Sequence, residues 1–283
     1  MLAINKGELM GLRIQTNMAS LSAQKVMSKQ VDRAQHASMA LASGKRIVKA
    51  GDDAAGLAIS ENLRGQVRGL TAARQNSFNA VSAIQVSEGG LNEVTNILIR
   101  LRELGIQAAS DNIGDKEREF LNLEAKNLID ESDRIAKTTV FGDKRLLDGS
   151  GGEQTFHVGA FGGEENTIKY DLSTNATASE LGISGLSMSS KEDARDVLKQ
   201  VDESLQKVGA MRANFGAIQN RLEATTSNLD VQIENLSAAK SRIADTDIAH
   251  ESSELASAQV LQNAAVSVLA QANQLPNSAL KLL

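Results

Sequence analysis

The chain has 283 residues, 41% of them hydrophobic, with a net charge of −5 and no cysteine. That excludes a disulfide scaffold and thiol chemistry, and it lacks the basic stripe of a nucleic-acid binder. Aromatic residues make up only 2% and Pro276 is the one proline, so a bulky aromatic core is excluded while nearly the whole chain is free to be helical.

Residues 1–9 carry no helical pattern. Lys6-Gly7-Glu8, just upstream of Met10, can be encoded by AAA-GGA-GAA, which contains a ribosome-binding sequence. Translation is therefore expected to begin at Met10, with 1–9 a non-native extension. The N-terminal stretch also lacks the apolar segment of a secretory signal. No apolar run reaches the roughly 20 residues that span a bilayer. Export that does not read such a signal, and no membrane insertion, are the expectations.

Over 13–42 the apolar positions Ile14, Met18, Leu21, Met27, Val31, Ala34 and Leu41 form a loose helical stripe, with Asn17 placed to cap the helix. Glycines break the pattern over 42–53, and Asp52 and Asp53 are placed to cap the next helix and complement its dipole. That helix is expected over 53–109, its stripe including Val67, Leu70, Phe78, Val81, Ile84, Leu91, Val94, Leu98, Leu101 and Leu104. Gly89 and Gly90 each cost about 1 kcal/mol there, but the stripe keeps its phase across them. A third helix over 115–137 carries Phe120, Leu123, Leu128, Ile129 and Ile135.

Composition then shifts to Gly, Thr and Ser. Two short runs, 155–158 and 167–170, predict a small β-hairpin. The cleanest helical spacing follows over 190–244, through Val197, Val201, Leu205, Val208, Met211, Phe215, Ile218, Leu222, Leu229, Ile233, Leu236 and Ile243. Asp245 to Asp247 is a break with capping residues. A last helix carries Leu255, Ala258, Leu261, Ala265, Val268, Ala272 and Leu275, with Pro276 near its end.

The expected fold is mainly α: an elongated, antiparallel, coiled-coil-like helical rod with paired N- and C-terminal helices and a small β-hairpin insert. Residues 10–43 and 247–283 make a terminal-helix domain, 44–55 a linker, and 56–246 a rod domain with the insert at about 141–189. The terminal helices are narrow and rich in Ala and Ser, so they are expected to order on assembly. The polymerisation residues expected on them are Ile14, Met18, Leu21, Val31, Leu255, Leu261, Val268 and Leu275.

Catalytic chemistry finds no support. His36, His157 and His250 fall in different segments without a second ligand at helical spacing, so no metal site is expected. Asp52 and Asp53 read as caps rather than a carboxylate dyad. The stretch around Lys45 fails the phosphate-loop pattern, because Met39 stands at the first glycine and Arg46 follows the lysine. No enzyme and no cofactor are expected.

The ends carry a family resemblance. SGKRIVKAGDDAAGLAIS at 43–60 resembles the N-terminal signature of bacterial flagellins, as do IQTN at 14–17, GL at 69–70, QVSEG at 85–89 and RLREL at 100–104. MRA at 211–213, GAIQNRLE at 216–223, SRIADTD at 241–247 and QANQLP at 271–276 resemble the C-terminal region. The likeness runs from about Gly11 to the C-terminus. It implies a subunit that polymerises into the helical flagellar filament, the passive propeller for swimming, in a short form without the outer variable domains. A hook–filament junction homolog would share the terminal helices with a less complete Asp-Asp-Ala-Ala-Gly signature.

The resemblance also implies partners and a place. They are a homopolymer, type III export as an unfolded chain, an export chaperone on the C-terminal helix, filament cap and hook–filament junction proteins, and an extracellular location. A host Toll-like receptor for flagellin is implied through positions matching Arg100, Leu104 and Glu124. Gly105 departs from the usual Ala beside that epitope, and Ile99, Leu101 and Ile106 are conservative variants.

Overall fold

A computed structural model describes residues 16–171 and 174–280, excluding the side chains of 171 and 275–280. In chain order the elements are α1 (Met18–Ser43), α2 (Ala54–Ala108), α3 (Asp115–Thr138), β1 (Val140–Phe141), β2 (Lys144–Arg145), β3 (Glu153–His157), β4 (Thr167–Asp171), α4 (Ala178–Leu181), α5 (Lys191–Ala244) and α6 (Ile248–Leu280). The fold is mainly α with a small antiparallel insert, as the hydrophobic periods require. The chain divides into two compact units, Met1–Arg64 with Ser237–Leu283, and Gly65–Leu236.

In the terminal unit, Asn17 starts α1 by accepting the Ser20 amide at 3.0 Å. Gly44 ends it at φ 66°, a left-handed conformation open to glycine. α6 starts where Asp247 Oδ1 accepts the Ala249 amide at 2.8 Å. α1 and α6 pack antiparallel: Ser20 Oγ donates to Asn273 Oδ1 at 2.9 Å, and at the other end Lys45 and Asp245 form an antiparallel bridge.

On α1 the face that packs differs from the expected stripe, while on α6 it runs through Ala258, Ala265 and Ala272 of that stripe. α1 buries Ser20, Ala23, Gln30, Ala37 and Ala40, and α6 buries Ala258, Ala265 and Ala272. Of the larger residues of the stripe, Met18, Leu21, Val31, Leu261 and Val268 are exposed, and Met27, Leu41 and Leu255 are half-buried. Helices approach more closely over small side chains, and steps of seven along both helices make a seam of small residues interrupted on α1 by Gln30.

In the central unit, ion pairs set the direction of α2 and α5. Arg74 meets Asp230 at 2.8 Å, Glu88 meets Arg212 at 3.4 Å and Arg102 meets Asp202 at 2.8 Å. Each advance along α2 is a retreat along α5, so the helices are antiparallel. α3 turns back on α2, with Arg118 Nε donating to Ala108 O at 2.9 Å. Leu91, Val94, Leu98, Leu101 and Leu104 share one core with Ala125, Ile129, Val197, Val201, Val208, Phe215 and Leu222. Every position of the expected α5 stripe is buried or half-buried. Phe78 of the expected α2 stripe and Phe120 and Leu123 of the α3 stripe are instead exposed.

The expected hairpin forms between β3 and β4, paired from Glu153 with Asp171 to His157 with Thr167. The short β1–β2 pair and α4 were not visible as periods. Phe156, Tyr170 and Phe215 gather in one place, with ring centroids 6.4 and 5.8 Å apart. α2 runs unbroken through Gly89 and Gly90. A Cβ at Gly90 would lie 2.7 Å from Leu147 and 2.8 Å from Thr139, so glycine there lets the insert sit against α2.

Candidate assembly surface

The signature segment between α1 and α2 builds a tied corner in the terminal unit. The Arg46 amide donates to Ala244 O at 2.8 Å, and the Thr246 amide donates to Gly44 O at 3.1 Å. Arg46 Nη2 reaches Ile243 O at 2.8 Å and Asp53 Oδ2 at 3.2 Å. The guanidinium thus covers a carbonyl at the C-terminal end of α5 while holding the residue that starts α2, a favourable use of both helix ends.

The two aspartates have separate tasks. Asp53 Oδ1 accepts the Gly56 amide at 2.8 Å and caps α2. Asp52 Oδ2 instead accepts the Val48 and Lys49 amides at 3.0 and 2.7 Å, and His36 Nε2 lies 3.1 Å from it. The Lys49 amide first, with His36 and the Val48 amide after it, holds the Asp52 carboxyl below its ordinary value against the opposing effect of desolvation. The Gly56 amide, then Arg46, do the same for Asp53. These carboxylates are engaged in structure, so the capping role fits Asp53 and is corrected for Asp52, which ties the turn.

The outward face of the terminal unit is apolar. Met18 is 59% exposed, Leu21 52%, Leu261 47% and Val268 53%, with Val31 beside them at 38%. Val26, Ile248, Val260 and Val266 are exposed as well. Leu255 is half-buried. Ile14 lies outside the described residues, and so does the side chain of Leu275. Alanines therefore join α1 to α6 while larger hydrophobic residues face water, the reverse of an ordinary two-helix core.

A second apolar face lies on the central unit. Arg100 donates from Nε and Nη2 to Glu124 Oε1 at 3.0 and 2.8 Å and from Nη1 to Glu103 at 3.0 Å. Glu124 first and Glu103 second favour the charged guanidinium. Ile99, Ile106, Phe120 and Leu123 are exposed on these same two helices. The structure joins Arg100 to Glu124 but does not bring Leu104 to that surface. Leu104 is fully buried in the core, because it continues the Leu98 and Leu101 stripe. Phe120 and Leu123 were missed as surface residues. Their signal was a third apolar direction on α3, whose seam uses Ala125, Ile129 and Ala136.

Among the described residues no group of three or more His, Asp or Glu side chains is placed to hold a metal ion, and no helix is long and apolar enough to cross a membrane.

Paired ends with an inward small-residue seam and an outward apolar face define a helical structural protein built to associate. The profile of the bacterial flagellin N-terminal helical region matches residues 14–151, and that of the C-terminal helical region matches 198–283. The chain is 41% identical over 271 residues to a flagellin of Halalkalibacterium halodurans, covering 95% of this chain and 99% of the relative. It is 39% identical to a flagellar filament core protein of Brachyspira hyodysenteriae, again over 95% and 99% of the two chains. A crystal structure of Bacillus cereus flagellin aligns at 26% identity and TM-score 0.49, over 59% of this chain and 94% of that one. This chain belongs to the bacterial flagellin family. It is a structural subunit of a flagellar filament, an appendage outside the cell.

Proposed function

We propose that the outward faces of α1 and α6 are the main subunit-to-subunit contacts of the filament, with Met18, Leu21, Val31, Leu261 and Val268 at their centre. Ile14, Leu255 and Leu275 are assigned to the same contacts from the sequence. The observation that carries this reading is the inversion of the α1–α6 pair, alanines inside and larger apolar residues outside. A head-to-tail contact that does not close into a ring propagates as an open helix. Residues 10–43 and 247–283 form the filament core, 44–55 the linker and 56–246 the surrounding rod. Narrow seams let neighbours shift between closely spaced packings, which gives the filament its curvature.

The polymer works mechanically and has no enzymatic activity. Its chains leave the cell by the type III route with a chaperone on α6, and they meet a cap protein at the tip and junction proteins at the base. In a host, a Toll-like receptor engages Arg100 and Glu124 with their apolar surround, and Leu104 acts only as a support beneath them. Seeded polymerisation of a chain lacking residues 264–283 tests the central assignment. The expected result is a soluble helical protein that does not elongate seeds; normal filaments from that truncation would refute it.

A further inference from the structure

Asn17 does more than cap α1. Any of Asn, Asp, Ser or Thr supplies the acceptor that a helix start needs, and Asn17 Oδ1 fills that role with the Ser20 amide at 3.0 Å. The other half of the amide is also used. Asn17 Nδ2 donates to Ala272 O at 2.8 Å, from the start of α1 to the far end of α6.

Pro276 explains why that carbonyl is available. In an α-helix the carbonyl of residue 272 accepts from the amide of residue 276, and a proline has no N–H to give. α6 nevertheless continues through Pro276 to Leu280. Proline therefore leaves one carbonyl without its helical donor, and Asn17 supplies the replacement from the neighbouring helix.

The seam itself holds this end weakly. Ala258, Ala265 and Ala272 recur every seven residues, as do Ala23, Gln30 and Ala37 on α1. Alanine contacts bury little area, and a repeated small residue packs almost equally well after a slip of one repeat, about 10 Å along the helix. The opposite end is fixed by the Lys45–Asp245 bridge and the Arg46 and Thr246 amides. The distal end has the Asn17 clamp, reinforced by Ser20 Oγ donating to Asn273 Oδ1.

We infer that Asn17 and Pro276 form a matched pair, in which proline frees the Ala272 carbonyl and the asparagine amide reads it. Together they set the register of α1 against α6 and so align their two apolar faces for assembly. Asn17 is a positioning residue. The inference rests on the reading of α1 and α6 as the assembling elements.

The test is a double-mutant cycle read as incorporation into growing wild-type filaments, comparing labelled variants with labelled wild type. Asn17→Ser keeps the cap without a donor of sufficient reach, and Asn17→Asp keeps the cap with no donor at all. In the natural background each variant is expected to be depleted about tenfold, the effect of one lost hydrogen bond that leaves an acceptor unpaired. In the Pro276→Ala background the restored helical amide serves Ala272, and the depletion should fall to about twofold or less. Equal depletion in the two backgrounds overturns the pairing. Pro276→Ala by itself should also be depleted, because its restored helical amide takes the carbonyl that Asn17 reads; incorporation of Pro276→Ala at the wild-type level overturns the register role. Failure of the assembly reading would appear elsewhere, as normal polymerisation of the truncated chain.

Discussion

Asp53 and Gly56 are matched: the Gly56 amide donates to Asp53 Oδ1 at 2.8 Å, and a Cβ at 56 would run into that same carboxylate and lie 3.0 Å from Ile47 Cδ1. The glycine is there for the cap, not for helix formation. In an open helix, Gly→Ala stabilises by about 1 kcal/mol. The expected outcome here is the opposite sign. Gly56→Ala and Gly90→Ala should lower the thermal midpoint, whereas Gly89→Ala, with open space at its Cβ, should raise it. Thermal unfolding of the three variants followed by circular dichroism checks the contrast.

Acid should loosen the same corner. The carboxyls of Asp52 and Asp53 are held below their ordinary value in the folded chain. A depressed folded value means stability that is present above the unfolded value, about 3.9, and lost as pH falls through the folded one. Asp52→Asn and Asp53→Asn should therefore be less stable than the natural chain at neutral pH, and the gap should close as the pH is taken below 4 (about the ordinary aspartate value). Urea midpoints measured from pH 7 downward read the gap directly; a gap independent of pH would contradict the role given to the two carboxylates.

Gln30 sits buried in the α1 seam with Oε1 lacking a hydrogen-bond partner. A buried acceptor left unpaired costs about 1–3 kcal/mol. Gln30→Met keeps the length of the side chain and removes the polar atoms, so α1 and α6 should gain about 1 kcal/mol. Slower amide exchange along both helices in filaments is the expected signature.

Leu104 and Arg100 should separate stability from recognition. Leu104→Ala opens a cavity in a fully buried position and should cost about 2–5 kcal/mol. Arg100→Ala removes only exposed ion pairs and should leave the thermal midpoint almost unchanged, since such pairs contribute little. A receptor reporter assay on folded Arg100→Ala then isolates the surface. Equal signals from the variant and the natural protein would remove Arg100 from the epitope.

Much of this molecule was legible from periodicity. α2 and α5 were readable end to end because bulky residues recur at three, four or seven, and their burial leaves little choice of face. The β3–β4 hairpin was readable from its flanking glycines. The facing of α1 was not. On α1 the rule that larger apolar residues go inside selects Met18, Leu21 and Val31. A single chain instead buries Ala23, Ala37 and Ala40. Leu104 carried two readings, inside by the stripe and in an epitope by resemblance, and the structure buries it. Resemblance marks a position as shared by a family without saying whether it faces water. The use of Pro276 was hidden too, because a missing amide has consequences only where a second helix supplies a donor.

Oxidative footprinting of the natural protein tests the central claim most directly. Met18 is 59% exposed in the single chain and Met188 is fully buried, so one methionine reports the outward face and the other serves as a control. Hydroxyl-radical oxidation of monomers and of filaments, read by mass spectrometry, should show Met18 strongly protected on assembly, with Met188 slow in both states. Met18 oxidising as fast in filaments as in monomers would contradict assembly through the outward face of α1.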